Sequence, residues 1–306
     1  MGLQTNASLP DGLELGGYRI VRRIASGGFS FVYLAHDAAG AEVAIKEYLP
    51  ASLARREPGE LAPRVPDEHL PTFRGGLKCF FEEGRALTRI QHPNVVRVLN
   101  FFAAHDTVYM VMAYERGHTL QQHVLRLRER GRAPAHGMLP ERTLLEAFGH
   151  AMSGLREVHA RRLLHLDIKP SNIYLRAAGP PLLLDFGAAR QALSRDAPRL
   201  SPMYTPGFAA PEFYRRGEPL GPWTDVYGLG ASMFAAMAGA APQPADERAA
   251  HDRMRGILPQ MERAYSRALV ELVDWCLRLD ALERPQSVLA VQRTLRAIGR
   301  AVRPAA

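Results

Sequence analysis

Eight residues, His165-Leu166-Asp167-Ile168-Lys169-Pro170-Ser171-Asn172, constrain this chain more than any other stretch. They set a carboxylate, an ammonium and a carboxamide close together on one short segment. An apolar run, Leu182-Leu183-Leu184, follows and delivers a second acid in Asp185-Phe186-Gly187. An acid that can orient a hydroxyl, a cation for a phosphate, and Asn plus Asp as oxygen ligands for magnesium suit the transfer of a phosphoryl group. Taken singly, the same residues would also make a solvated loop followed by a buried strand and a turn. The choice rests on whether the other parts of such a site occur elsewhere, in order.

Composition narrows the classes. The 306 residues are 47% hydrophobic and 23% charged, enough apolar material for one large domain or two lobes. Cys79 and Cys276 have no CxxC spacing, so a reducing compartment and no structural zinc are expected. The longest apolar candidate, Leu229 to Ala241, falls short of the roughly 20 residues of a membrane span. Neither a secretory signal nor a full myristoylation pattern opens the chain, and a cytoplasmic location is expected. The formal net charge of +8 raises a nucleic-acid partner. The arginines, however, fall in short runs (Arg22-Arg23, Arg55-Arg56, Arg161-Arg162, Arg215-Arg216) without interleaved aromatics. They read as solvated faces, and no nucleic-acid partner is expected.

Residues 1–14 read as a disordered lead-in. From Tyr18 to Lys46 apolar residues alternate as in strands, around Gly27-Gly28 and a turn near Gly40. The segment Ile24-Ala25-Ser26-Gly27-Gly28-Phe29-Ser30-Phe31-Val32 precedes Val43-Ala44-Ile45-Lys46. A stretch with prolines at 50, 58, 63, 66 and 71 then reads as an irregular connection, and a helical pattern resumes from about Leu77 to Ile90. Strands follow over Val95 to Ala103 and Thr107 to Met112, then helices over Leu120 to Arg130 and Pro140 to Ala160. In the second helix Leu144, Leu145, Phe148, Met152, Leu155 and Val158 recur at helical spacing and read as core. Beyond Asp185 come Tyr204-Thr205-Pro206-Gly207-Phe208-Ala209-Ala210-Pro211-Glu212, Asp225-Val226-Tyr227-Gly228-Leu229-Gly230 and Glu283-Arg284-Pro285. Closing helices are expected over Leu269 to Leu279 and Pro285 to Ile298.

From Ile24 to Arg284 these motifs resemble, in content and order, the eukaryotic-type serine/threonine protein kinases, in the form of a stand-alone bacterial kinase domain. The resemblance implies an α+β, bilobal fold: a small β-rich lobe with one main helix over 15–113, a larger helical lobe over 114–300, and a tail over 301–306. It also implies ATP with magnesium or manganese as cofactors, serine and threonine hydroxyls of proteins as acceptors, and autophosphorylation. Asp167 would orient the acceptor hydroxyl, Lys169 would steady the γ-phosphoryl group, and Asn172 and Asp185 would hold the metal. Lys46 would meet the α- and β-phosphates, oriented by Glu83, with Glu82 its competitor. The nucleotide pocket would be lined by Ala25, Gly27, Gly28, Val32, Ala44, Met112, Ala113, Glu115 and Tyr174. Ser194, Ser201 and Thr205 would lie on the activation segment. Glu212 would pair with Arg284, and Asp225 would bind the catalytic-loop backbone. His165 would pack under Phe186 as a structural residue.

Lysine usage agrees with this alignment. Of 39 Lys and Arg residues only Lys46, Lys78 and Lys169 are lysine. Two of them stand where the resemblance needs a compact ammonium, which a planar guanidinium does not replace. Three departures stand out. Ala25 and Ser30 replace glycines of the phosphate loop, the connection before the main helix is long, and Leu166 replaces the arginine that usually precedes the catalytic aspartate. In relatives that arginine gathers a phosphate on the activation segment. A pseudokinase scaffold and a small-molecule kinase of related fold are the alternative readings.

Overall fold

The computed structural model describes residues 5–131, 137–186, 204–215 and 217–301. They fall into two compact units: 5–91 with 96–115, and 92–95 with the described residues from 116 to 301. The first is an antiparallel sheet with one long helix and the second is mainly helical, the two-lobed α+β class expected from the sequence.

In the first unit, β1 (Glu14–Leu15), β2 (Tyr18–Gly27), β3 (Ser30–His36), β4 (Glu42–Tyr48), β5 (Val98–Ala104) and β6 (Thr107–Ala113) form one sheet in the order β1-β2-β3-β4-β6-β5. Alternation along β4 sets its chemistry, since successive side chains point to opposite faces. Lys46 and Tyr48 face α1 (Leu70–Leu87): the Lys46 ammonium lies 5.6 Å from the Phe80 ring centroid, and the Tyr48 ring lies 5.4 Å from Phe73. Glu47, between them, points the other way. Directly across from it stand Phe31 on β3 and Tyr109 on β6, both fully buried.

Three expectations are corrected in this unit. Residues 5–14 are not a disordered lead-in: Leu9 is buried, the Asn6 side chain donates to Ala54 O (3.1 Å), and its Oδ1 accepts from Arg56 N (2.7 Å). Nor is all of 49–76 irregular. The helix begins at Leu70, seven residues before the expected start, with Pro71 in its first turn. A proline there forfeits no helical hydrogen bond and brings its φ already set. The Arg55-Arg56 run is also not a solvated face, because Arg56 is buried beside an exposed Arg55.

The second unit is built on α3 (Glu141–Ala160) and α4 (Pro222–Ala238), the latter buried over almost its whole length. The six apolar residues expected as core on α3 are all buried, worth roughly 1.5–3 kcal/mol each for the larger side chains. The short strands β7 (Gly117–Thr119), β8 (Ile173–Arg176) and β9 (Leu182–Leu183) form a second sheet in that order, followed along the chain from β7 by α2 (Leu120–Glu129). Beyond α4 come two short helices, α5 (Ala245–Ala250) and α6 (Met254–Ile257), then α7 (Arg267–Cys276) and α8 (Val288–Ala301). Among the described residues no helix is long and apolar enough to cross a membrane.

Candidate active site

The segment 165–172 lies between α3 and β8, and α4 holds it from below. The Asp225 carboxylate accepts from two successive backbone amides, His165 N (2.8 Å) and Leu166 N (2.6 Å), and is bonded to His159 Nε2 (2.7 Å). Presenting two amides to one carboxylate puts Leu166 at φ +62°, a left-handed conformation that leucine rarely adopts without such support. Gly228, one turn along α4, lets the loop lie close: a Cβ there would stand 3.0 Å from the Ile168 Cβ. The role of His159 was not read from the sequence, and nothing in its local pattern signals it.

Burial alone would raise the Asp225 pKa; the hydrogen bond and charge of His159, helped by His165, outweigh it and hold the carboxyl below the usual value. Folding therefore favours the ionised form. Its contribution to stability is complete above about pH 4 and is lost as pH falls through the lower folded value. Asp225→Asn should lower the melting temperature strongly at pH 7 and progressively less toward pH 3. A deficit that does not change with pH would contradict this.

His165 is fully buried, its ring 4.4 Å from that of Phe186. Nε2 donates to Leu184 O (3.0 Å) and Nδ1 accepts from Asp167 N (3.3 Å), a pattern that one neutral tautomer satisfies completely. Burial holds its pKa below the ordinary histidine value, which suits a structural strut and not a base.

The candidate catalytic groups converge just beyond. Lys169 Nζ lies 2.7 Å from the Asp167 carboxylate and donates to Thr205 Oγ1 (2.9 Å). Asn172 Nδ2 donates to Asp167 O (2.8 Å) and Oδ2 (3.0 Å). Leu184 N donates to Asn172 O (2.8 Å), which brings the residue before Asp185 against the loop. Burial pushes the Asp167 carboxyl above the usual carboxylate value, against the pull of Lys169, while 20% of its side-chain surface stays open to solvent. Asp185, like Leu166, has a left-handed backbone, φ +58°.

The donors suit magnesium. The Asn172 amide nitrogen is committed to Asp167, so its oxygen is the donor it would offer a cation, and Asp185 would add a carboxylate. Among the described residues no cluster of three or more His, Cys, Asp or Glu could hold a metal by itself. Two oxygen donors match a hard cation that keeps waters and phosphate oxygens as its remaining ligands.

In the sheet unit Lys46 is 7% exposed and lies opposite Val32 on β3 and Met110 on β6, two residue pairs along from Ala44 and Met112. Helix α1 buries Glu83 and exposes Glu82. Ala25 pairs with Val32, and Gly27 with Ser30, at the β2–β3 turn that contains Gly28. A Cβ on Gly27 would meet nothing within 4 Å, so the fold itself does not require glycine there. Ala113 ends β6, Glu115 follows, and in the helical unit Tyr174 sits on β8 opposite Thr119 and Leu182. Glu212 and Arg284 form a bidentate pair (Nη2–Oε2 2.7 Å, Nη1–Oε1 3.1 Å), with Thr224 Oγ1 donating to the same carboxylate. Ser194 and Ser201 lie outside the described residues.

A sheet unit bearing a buried lysine, and a helical unit bearing this loop, define a class. The protein kinase domain family model matches residues 18–295, and the chain belongs to that family. Among solved structures it is similar to "PpkA-294 apo form", with TM-score 0.79 and 32% identity over 94% of this chain and 99% of that one. The PknI kinase domain of Mycobacterium tuberculosis shares the fold, with TM-score 0.64 and 21% identity, covering 95% of this chain and 99% of that one. CBL-interacting protein kinase 4 of Oryza sativa subsp. japonica is 31% identical over 74% of this chain and 46% of its own length. The chain spans less than half the length of the curated relatives it matches.

Proposed function

We propose that this chain is an ATP- and magnesium-dependent serine/threonine protein kinase domain. One observation carries the reading: Asp167, Lys169 and Asn172 form a single hydrogen-bonded group that includes the Thr205 hydroxyl. Asp167 would accept or orient the proton of the attacking hydroxyl, and Lys169 would steady the transferring γ-phosphoryl group. Asn172 and Asp185 would hold magnesium, or manganese, which when bound neutralises developing charge on the phosphates. Lys46, oriented by Glu83, would bind the α- and β-phosphates, and the backbone of Ala113 and Glu115 the adenine edge. The Lys169–Thr205 bond favours serine and threonine over tyrosine as acceptors. Labelled ATP offered with protein acceptors and with small metabolites tests the reading. Label on serine or threonine of protein is expected, including autophosphorylation within 194–205. Label on metabolites alone, or no transfer, would refute it. A cytoplasmic, bacterial setting is part of the proposal, supported by two free thiols and the Ala- and Arg-rich composition.

Leu166 carries the proposal on regulation. Its side chain is buried and apolar, where relatives offer a guanidinium fork to an activation-segment phosphate. The domain should therefore work without that phosphate. Phosphatase-treated and untreated enzyme should have equal specific activity; a large loss on treatment would contradict this.

A further inference from the structure

The segment 49–66 is built as a clasp. A pair of backbone bonds between Arg55 and Arg64 closes it (Arg55 N to Arg64 O 2.8 Å, Arg64 N to Arg55 O 2.7 Å). From its base, Arg56 reaches the sheet face opposite Lys46 and grips Glu47, Nη1 to Oε1 at 2.5 Å and Nη2 to Oε2 at 2.8 Å, both side chains 0% exposed. The Tyr33 and Tyr109 hydroxyls donate to the same carboxylate at 2.8 and 2.9 Å. Arg56 Nε donates to Ala7 O (2.9 Å), and Asn6 and Ala7 bond the backbone of residues 54 and 56, so the N-terminal segment is fastened under the clasp. A buried ion pair gains little net stability, but removing one member strands a charge in the interior.

What the clasp touches gives it a function. Leu49 N donates to Phe29 O and Ala51 N to Gly28 O, both at 2.9 Å, which ties down the tip of the glycine-containing turn. Glu47 is the immediate neighbour of Lys46 on β4. Tyr48 seats α1, the helix of Glu83: a Cβ at Gly76 would stand 1.8 Å from the Tyr48 hydroxyl oxygen, so only glycine admits the helix here. The far end of the clasp leads through Asp67–His69 directly into α1.

We infer that Arg56 is a positioning residue for phosphoryl transfer, acting through Glu47 and the clasp on Lys46, the Gly28 turn and α1. This rests on the kinase reading above. The test uses the full chain and the variants Arg56→Met, Arg56→Lys and Asn6→Ala, assayed at a temperature where circular dichroism shows each one folded. A lysine cannot reproduce the two-pronged grip, and Asn6→Ala loosens the N-terminal fastening without stranding the buried carboxylate. Arg56→Met should lower kcat by about tenfold to a hundredfold and raise KM for ATP, leaving KM for the protein acceptor unchanged. Arg56→Lys and Asn6→Ala should shift the same constants by less. Amide exchange should quicken in Glu42–Tyr48 and Leu70–Leu87 and not in the helical unit. If Arg56→Met does not fold, smaller shifts in the same direction are required of Asn6→Ala. A lowered melting temperature with wild-type kcat, KM for ATP and α1 exchange would overturn the inference, leaving Arg56 merely structural. If the wild type transfers no phosphate, the kinase reading fails separately, and the exchange pattern alone then decides for or against the clasp.

Discussion

Asp167→Ala is expected to reduce phosphoryl transfer to serine and threonine acceptors by about 100- to 10,000-fold, the usual reach of a positioned acid–base group. The loss should appear in kcat, with ATP affinity and melting temperature close to wild type. The geometry explains the split. Asp167 sits within hydrogen-bond reach of Lys169 and Asn172 but does not hold up the loop. That task falls to Asp225, which binds the backbone at His165 and Leu166 from α4. Removing the Asp167 carboxylate would thus take away the group proposed to meet the acceptor hydroxyl and leave its support in place. Steady-state kinetics with a protein acceptor, alongside nucleotide titration, measure both halves. Retained turnover would remove Asp167 from the chemistry, and lost nucleotide binding would mean that its main role is structural.

The second large effect concerns stability. Arg284→Met should destabilise the chain by about 3–5 kcal/mol, because it leaves the Glu212 carboxylate buried and unpaired. Both side chains are almost completely buried (0% and 1% exposed), and Arg284 also donates to Trp223 O at 2.9 Å. Thr224 would still donate to Glu212, but a single hydroxyl does not balance a buried negative charge. Replacing both members with apolar side chains, Glu212→Leu with Arg284→Met, should recover much of the loss. Denaturant titration of the single and double variants checks the cycle. A cost below about 1 kcal/mol for Arg284→Met would show the pair to be of the weak, solvent-screened kind.

The parts legible in the sequence were those whose chemistry is local. Asp167, Lys169 and Asn172 lie within six residues, and their spacing alone places three functional groups on one loop. Arg56 and Glu47 are near neighbours too, yet their pairing depends on Asn6, Tyr33 and Tyr109, from segments up to 62 residues away. No periodicity or motif encodes such a meeting, and an Arg-Arg run among prolines reads as surface by default. The early start of α1 was hidden for a different reason. Pro71, Gly75 and Gly76 carry the signature of a breaker, although the proline opens the helix and Gly76 makes room for Tyr48. Leu9 and Asn6 were missed because a chain terminus carries no sign of what it will pack against.

The central proposal is that Lys46 and Asp185 both contribute to ATP binding. The most direct measurement is the affinity of the wild type, Lys46→Met, Asp185→Asn and the double variant for ATP in the presence of magnesium. The account predicts a single site in the wild type, weaker binding in each single variant, and a double variant weakened by less than the sum of the two. Wild-type affinity in both single variants would contradict it.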